Sequence, residues 1–181
     1  PGEDVFLALD VASSEFFRQG HYLFEGKKLT GKQLSERYTE WVDKYPIMLL
    51  EDGLSQDDWD GWADLTSSLG GKLHIVGDDL FVTNSQRLQL GFSFKAANAI
   101  IIKPNQVGTL SETMDTVSLA RDHGYATIVS HRSGETMDTF ISDLAVAVSS
   151  SYLKSGSTSR GERVAKYNRL MEIEAEISSS R

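Results

Sequence analysis

Six short apolar segments recur along the chain, and a charged or hydroxyl-bearing residue follows each of them. Apolar runs of about this length are typical of strands that are buried on both faces, as in a parallel sheet. The segments are 5–9, 47–50, 73–76, 99–102, 126–129 and 152–153. This recurrence constrains the fold more than any other feature, because it predicts six strands joined by regular connections.

Helical patterns lie between the apolar runs. Apolar side chains at three- and four-residue spacing predict one inward-facing stripe on each helix. Ser55, Asn84 and Ser159 stand where helix N-caps are expected, and 140–148 is a further apolar helix. The predicted stripe residues are Leu34, Tyr38, Trp41, Tyr45, Trp59, Trp62, Leu69, Leu88, Phe92, Leu110, Met114, Val117, Ala120, Val164, Tyr167, Met171 and Ile177.

A strand followed by a helix, repeated six times, predicts an α/β fold with a parallel sheet. Successive strand ends lie 23 to 41 residues apart, and the longest step contains a predicted hairpin at 22–29 that turns at Glu25 and Gly26. A (β/α)₈ barrel of about 250 residues averages about 31 residues per unit. Polar residues at six consecutive strand ends favour a barrel, whose strand ends meet at one mouth, over a doubly wound sheet. We therefore predict a (β/α)₈ TIM-type barrel, with about six of its eight units in this chain.

Three of the strand ends carry carboxylates, namely Asp10, Glu51 and Asp78. In a barrel they come from adjacent strands, and oxygen ligands of this kind suit a hard cation such as Mg²⁺. One acidic residue after a strand is more often a helix cap or part of a solvated loop, but three in successive units favour a metal site. Asp52 and Asp79 are direct neighbours, and spacing alone does not exclude them as the ligands.

Basic and hydroxyl side chains end the other three runs. Lys103 follows four apolar residues, so we expect it either to pair with a carboxylate for structure or to act as a base. A lysine base must be neutral, which burial and nearby positive charge favour, and Lys154 is one source of that charge. Arg132 and Ser133 are candidates to hold a phosphate, although Arg132 would alternatively form an ion pair with a mouth carboxylate. His131 either contacts substrate or is an ordinary hydrogen-bonded histidine.

Composition excludes several function classes. The chain has no cysteine, which rules out disulfides and thiolate chemistry and fits a cytosolic origin. Its net charge of −8 makes direct nucleic-acid binding unexpected. No apolar run approaches the roughly 20 residues that span a bilayer. Strand-like residues begin close to Pro1, so we expect a piece of a longer protein.

Seven segments, in order along the chain, resemble the enolase family. The segment 130–136, Ser-His-Arg-Ser-Gly-Glu-Thr, is the most specific of them, and the Glu-Asp-Gly of 51–53 resembles the bacterial form. The resemblance covers essentially all 181 residues. Met137 and 150–152 depart from the family pattern, but neither stands at a ligand position. The segments are 9–16, 51–59, 76–84, 103–108, 130–136, 154–156 and 162–168.

The resemblance implies a Mg²⁺-dependent lyase that dehydrates 2-phosphoglycerate to phosphoenolpyruvate by removing the proton next to the carboxylate. It implies that Asp10, Glu51 and Asp78 bind the tighter Mg²⁺ and that Lys103 is the proton acceptor. Lys154 would stabilise the doubly charged enolate, and the Ser130 loop would lie beside a second Mg²⁺. The implied substrate-binding residues are Lys103, Ser130, His131, Arg132, Ser133 and Lys154.

The resemblance also implies that 1–181 is the carboxyl-terminal part of a barrel domain. The family's amino-terminal domain, the first barrel units and the general-acid glutamate would lie outside it, so we expect the piece alone to be inactive. For the full-length protein we expect a homodimer or higher homo-oligomer in the cytoplasm, and also secretion and display at the cell surface. The alternative is a non-catalytic fragment that binds partners, such as host proteins at that surface.

Overall fold

A computed structural model describes residues 1–179, and a parallel sheet lies at their centre. The described strands are β1 (Leu7–Asp10), β2 (Phe17–Arg18), β3 (His21–Phe24), β4 (Lys27–Leu29), β5 (Ile47–Glu51), β6 (His74–Gly77), β7 (Ala99–Ile102), β8 (Ala126–Ser130) and β9 (Tyr152–Lys154). The six strands of the sheet follow one another in sequence order, β1-β5-β6-β7-β8-β9, and all neighbouring pairs are parallel. This order confirms the predicted α/β fold.

Helices follow the strands of the sheet. No helix within residues 1–179 is long and apolar enough to cross a membrane. The described helices are α1 (Gly31–Lys44), α2 (Trp59–Leu69), α3 (Ser85–Phe94), α4 (Pro104–Val107), α5 (Leu110–Asp122), α6 (Phe140–Ala147) and α7 (Gly161–Ser179).

The core has two separate layers because side chains alternate between the faces of a strand. The outer layer packs helix residues against strand residues such as Leu50, Ile100 and Val129. The inner layer contains strand residues alone, with Leu49 and Ile101 among its buried members. The sheet therefore curls around its own apolar interior and carries the helices outside, which is the arrangement of a partial TIM-type barrel.

The predicted hairpin is confirmed. Strands β3 and β4 pair in antiparallel fashion around Glu25 and Gly26, and the short β2 adds a third strand that the sequence did not indicate. Tyr22 of this small sheet is fully buried. Its hydroxyl donates to Asp58 Oδ2 at 2.9 Å and accepts from the backbone N–H of Ser55 at 2.8 Å, which fixes the sheet against the loop after β5.

The first strand differs from its prediction. The run at 5–9 was expected to be buried on both faces, but β1 begins at Leu7, and Val5 and Phe6 are 64% and 44% exposed. β1 is an edge strand that pairs with β5 on one side only within the described residues. Its apolar character is typical of a strand with a neighbour on each side. The exposure arises because no strand lies on its second side within the described residues.

Two of the three predicted caps are wrong. Asn84 caps α3, since its side-chain oxygen accepts two backbone N–H groups of the first turn. Asp58, not Ser55, caps α2, and a carboxylate at that position also interacts favourably with the helix dipole. α7 begins at Gly161, so Ser159 lies before the cap, and its hydroxyl pairs instead with that of Ser157 at 2.8 Å.

Several predicted stripe residues are exposed rather than inward-facing. On α5 the buried face contains Thr113 and Thr116. Both hydroxyls donate to the carbonyl four residues earlier, which lets a threonine be buried without an unpaired donor. Periodicity read from apolar residues alone therefore misplaces this face. The exposed residues are Tyr45, Leu110, Met114, Met171 and Ile177.

Candidate active site at the strand ends

The polar residues at the strand ends lie on the same face of the sheet as the side chains of the inner layer. Five of them stand two residues after a side chain of the inner layer, such as Leu49, Ile101 or Tyr152. The sixth, Asp10, stands two residues after Ala8, which lines the same cavity as Leu49 and Tyr152. Alternation therefore directs them toward the mouth of the barrel. The six residues are Asp10, Glu51, Asp78, Lys103, Ser130 and Lys154. The predicted convergence of strand ends is thus a property of the fold.

Lys154 lies at the centre of one charge cluster. Its Nζ donates to Asp10 Oδ2 at 2.8 Å and to Glu51 Oε2 at 2.7 Å. Asp10 and Glu51 are register partners in the β1–β5 pair, so one ammonium bridges two carboxylates of neighbouring strands. Burial alone would lower the pKa of Lys154, but its bonds to Asp10 and Glu51 raise it.

Glu51 is the most deeply buried of these carboxylates, at 2% exposure. Burial raises its pKa to about 7, against the opposing effect of Lys154. The negative charges of Asp10 and Asp78 raise it further. The three predicted metal ligands are therefore close enough to repel one another, and positive charge between them is electrostatically favoured.

Lys103 forms the second charge cluster, with Asp78. Its Nζ donates to Asp78 Oδ2, and both side chains are largely buried, at 14% and 11% exposure. One of the two predicted roles of Lys103, pairing with a carboxylate, is therefore present in this structure. Among the described side chains, Asp78 Oδ1 is one of two buried polar atoms without a hydrogen-bond partner. An orphaned carboxylate oxygen beside other carboxylates suits a hard cation.

The structure places Asp52 and Asp79 differently from the other acidic residues. One carboxylate oxygen each of Asp52, Asp78 and Asp79 lies within 4.8 Å of the others, so this group could also hold a metal. Both oxygens of Asp52, however, accept backbone N–H groups, from Asp78 and Asp79, at 2.9 Å each. Burial raises the pKa of Asp52 to about 7 despite these bonds. Asp52 thus acts as a brace for the loop that carries Asp78.

The loop after β8 carries the predicted anion-binding residues. Arg132 and Ser133 are exposed, and Arg132 Nη1 donates to Asn105 Oδ1 at 3.1 Å. Within residues 1–179, Arg132 forms no ion pair with a mouth carboxylate, which had been the alternative prediction for it. Ser130 Oγ donates to the carbonyl of His131 at 3.0 Å. The guanidinium of Arg132 and the hydroxyl of Ser133 are therefore available to a ligand at the rim.

His131 is half-buried in the same loop. Its Nδ1 contacts Nη1 of Arg163, so the hydrogen-bonded histidine, one of the two alternatives predicted for it, is present. Burial lowers its pKa, and the positive charges of Arg163 and Lys154 lower it further. His74 lies at the other end of the barrel, where its ring contacts Tyr152 edge-on.

Sequence reasoning missed three residues that support the site. Thr83 is fully buried with φ of 55°, an uncommon conformation for a β-branched residue. Its hydroxyl accepts the backbone N–H of Lys103 at 2.9 Å and so holds the strand end that carries that lysine. Arg163 and Lys166 reach the loop after β8 from α7. The spacing of seven residues between Lys166 and the buried Ile173 was the one available signal for an inward lysine.

Comparison with known protein families matches residues 2–181 to the enolase C-terminal TIM barrel domain. The chain belongs to this family. Membership makes the curled sheet part of a TIM barrel and associates the chain with the lyase-type chemistry of the enolase superfamily, which generally uses Mg²⁺. The acidic residues at the mouth of this enolase-type domain are chemically suited to such an ion.

Proposed function

We propose that this enolase-type domain contributes the metal-, base- and phosphate-binding part of a site that dehydrates 2-phosphoglycerate to phosphoenolpyruvate. One observation supports the proposal above all. The three carboxylates, the two lysines and Ser130, which leads into the proposed phosphate-binding loop, follow consecutive strands of one curled sheet on its inner face. Family membership is consistent with this reaction class.

The base in this proposal is Lys103. It removes the proton from C2 of the substrate, and the electron pair left behind delocalises toward the carboxylate as an enolate. The enolate then expels the C3 hydroxyl, which leaves with a proton from a general acid. In the structure Lys103 is largely buried at the mouth rather than in solvent, and its hydrogen-bond partner is Asp78.

Asp10, Glu51 and Asp78 would hold Mg²⁺. A bound divalent cation supplies charge neutralisation for an enolate. The chain's own contribution is to gather three carboxylates and to keep one oxygen of Asp78 free of other partners. Lys154, already paired with Asp10 and Glu51, would stabilise the same negative charge from the opposite edge strand.

Arg132 and Ser133 would bind the phosphate group, with Ser130 and His131 beside them. The guanidinium presents a planar pair of donors that matches phosphate oxygens. The exposure of Arg132 supports the assignment, because a charge that is not committed to an ion pair can accept a ligand at low cost.

We also propose that residues outside 1–181 complete the barrel, provide the general acid and mediate self-association, and that the protein works in the cytoplasm. The two edge strands support the first point. β1 and β9 leave their outer backbone groups unpaired within the described residues, and exposed edges are usually covered in native proteins.

The test is turnover by the intact protein that carries this domain, followed as the absorbance of phosphoenolpyruvate. Lys103→Ala is expected to lower kcat by about 10³-fold or more, as removal of a general base does. Lys32→Ala, an exposed lysine on α1, is the matched control and should leave kcat unchanged. Retention of more than a tenth of the activity by Lys103→Ala would exclude Lys103 as the base.

A further inference from the structure

The loop 131–136 has no regular secondary structure, yet it carries both residues of the proposed phosphate site. Arg132, Ser133 and Gly134 are exposed. A surface loop of this kind is mobile unless other groups hold its backbone. The position of a bound phosphate therefore depends on what fixes this segment.

Arg163 of α7 holds the first half of the loop. Its Nη1 donates to the carbonyl of Arg132 at 2.9 Å, and its Nη2 donates to the carbonyl of Ser133 at 3.0 Å. Nη1 also contacts His131 Nδ1. The planar fork of one guanidinium thus engages three consecutive residues of the loop.

The partners of Arg163 are all uncharged. Within residues 1–179 its guanidinium contacts carbonyl oxygens and an imidazole, and it pairs with no carboxylate. Its charge is therefore not neutralised by a direct ion pair. It adds to the positive potential that Arg132 creates at the same rim, which favours an anionic ligand there.

Gly156 provides the path by which Arg163 reaches the loop. A Cβ at position 156 would lie 2.9 Å from Cδ of Arg163, so the stem of the arginine passes over a position that must lack a side chain. Gly156 also has φ of 88°, which other residues rarely adopt. The hydroxyl of Tyr167 donates to its carbonyl and fixes it against α7.

Lys166 holds the second half of the loop from the same helix. It is 1% exposed, and its Nζ donates to Glu135 Oε2 at 2.7 Å, to the carbonyl of Thr136 at 2.6 Å and to that of Glu162 at 2.8 Å. All three ammonium protons are thereby used. Because Lys166 anchors the far end independently, loss of Arg163 releases the phosphate-binding residues without detaching the whole loop.

We propose that Arg163 is a positioning residue that holds Arg132 and Ser133 in place to bind the phosphate of the substrate. This inference rests on the proposed function. It predicts an effect on the binding of phosphate-bearing ligands, whereas a purely structural brace would change stability alone.

The experiment compares Arg163→Gln and Arg163→Lys with wild type in the intact protein that carries this domain. Arg163→Gln is expected to raise KM for 2-phosphoglycerate about 10- to 100-fold, as a displacement of about 1 Å does, while kcat changes less than about threefold. Arg163→Lys keeps the charge but offers a single donor nitrogen instead of the planar fork, so it should recover part of the affinity. Calorimetric titration with inorganic phosphate should show a parallel loss.

Arg169→Gln is the matched control. Arg169 lies on the same helix and pairs with Asp143 and Glu172, away from the loop, so its loss should lower Tm without changing KM. A lower Tm with unchanged KM and phosphate affinity in Arg163→Gln would overturn the inference. Phosphate binding that depends on Arg163 in a protein without turnover would support it and reject only the proposed reaction. Wild-type protein with neither turnover nor phosphate binding would overturn both.

Discussion

Lys154 Nζ donates to Asp10 Oδ2 at 2.8 Å and thereby joins the last strand of the sheet to the first. The two strands do not pair with each other in the described chain, and a cavity of about 250 Å³ lies between them. Ala8, Leu49 and Tyr152 contribute to its apolar lining. The charged contact at the mouth therefore closes an apolar seam that backbone pairing leaves open.

Replacement of Lys154 by Met is expected to destabilise the fold by about 3 kcal/mol, because it leaves the buried Glu51 without its cation. The raised pKa of Glu51 limits the loss, since the carboxyl can take up a proton near neutral pH. Urea unfolding measures the change. Lys72→Met, which breaks the exposed pair with Asp43, is the control and should cost less than about 1 kcal/mol. Equal losses in the two variants would mean that the seam contact adds nothing specific.

Mg²⁺ binding should distinguish Asp78, a proposed metal ligand, from Asp52, which supports the loop that carries Asp78. Asp78→Asn should weaken Mg²⁺ binding at least about tenfold, as expected for a direct ligand. Asp52→Asn should instead lower stability by about 1–3 kcal/mol, because an amide nitrogen cannot accept the N–H of Asp78 or Asp79. Calorimetric titration and urea unfolding of the intact protein measure both. If Asp52→Asn abolished Mg²⁺ binding while Asp78→Asn retained it, the ligand assignment would be wrong.

Glu135 should give the fold an acid-sensitive component. Burial opposes its ionisation, but bonds from Lys166 and from two backbone N–H groups outweigh burial and hold its pKa below the usual value. A carboxyl whose pKa is lower in the folded state stabilises the fold above the unfolded pKa, and loses that effect as the pH falls through the folded pKa. Glu135→Gln is expected to cost about 2 kcal/mol at pH 7.

The cost of Glu135→Gln should shrink as the pH falls below about 4.3, the usual pKa of glutamate. Urea midpoints at pH 7, 5, 4 and 3 measure this trend. The exposed pair of Glu40 with Arg37 is the control, and Glu40→Gln should stay within about 1 kcal/mol of wild type throughout. A pH-independent cost in Glu135→Gln would show that the carboxylate charge is not what Lys166 stabilises.

Replacement of Gly91 by alanine tests how tightly the outer layer of the core is packed. It lies within α3, where alanine would be favoured over glycine by about 1 kcal/mol. A Cβ there would lie 2.5 Å from Cε1 of the fully buried Phe81, however, and overpacking costs about 1–3 kcal/mol. We expect Gly91→Ala to be destabilising in urea unfolding. Gly71→Ala has no atom within 4 Å and should be near neutral; a Gly91→Ala variant more stable than wild type would contradict the packing.

Much of the fold was predictable because its signals are local. The apolar runs before Glu51, Lys103 and Lys154 mark three of the six strands, and every strand of the sheet lies beside its neighbour in sequence. The turn at Glu25 and Gly26 was predictable for the same reason. Side chains alternate between the two faces of a strand, so the direction of the strand-end side chains follows from each strand alone and needs no tertiary information.

The contacts that refine the site were not predictable, because they join residues far apart in sequence. Asp52 and Asp78 look alike after their strands, and only the backbone N–H groups that face Asp52 make it a brace. Arg163 and Thr83 carry no chemical signal of their own, since their role depends on which carbonyl or N–H lies opposite.

The strands, and the face of the sheet on which their terminal side chains lie, were thus predictable from apolar runs and alternation within short segments. The pairing of Lys154 with Asp10, the exposure of β1 and the anchoring of the loop 131–136 by α7 were decided by the tertiary structure. The physical reason is that a hydrogen bond or ion pair depends on distance and burial, and both are properties of the packed chain rather than of any one segment.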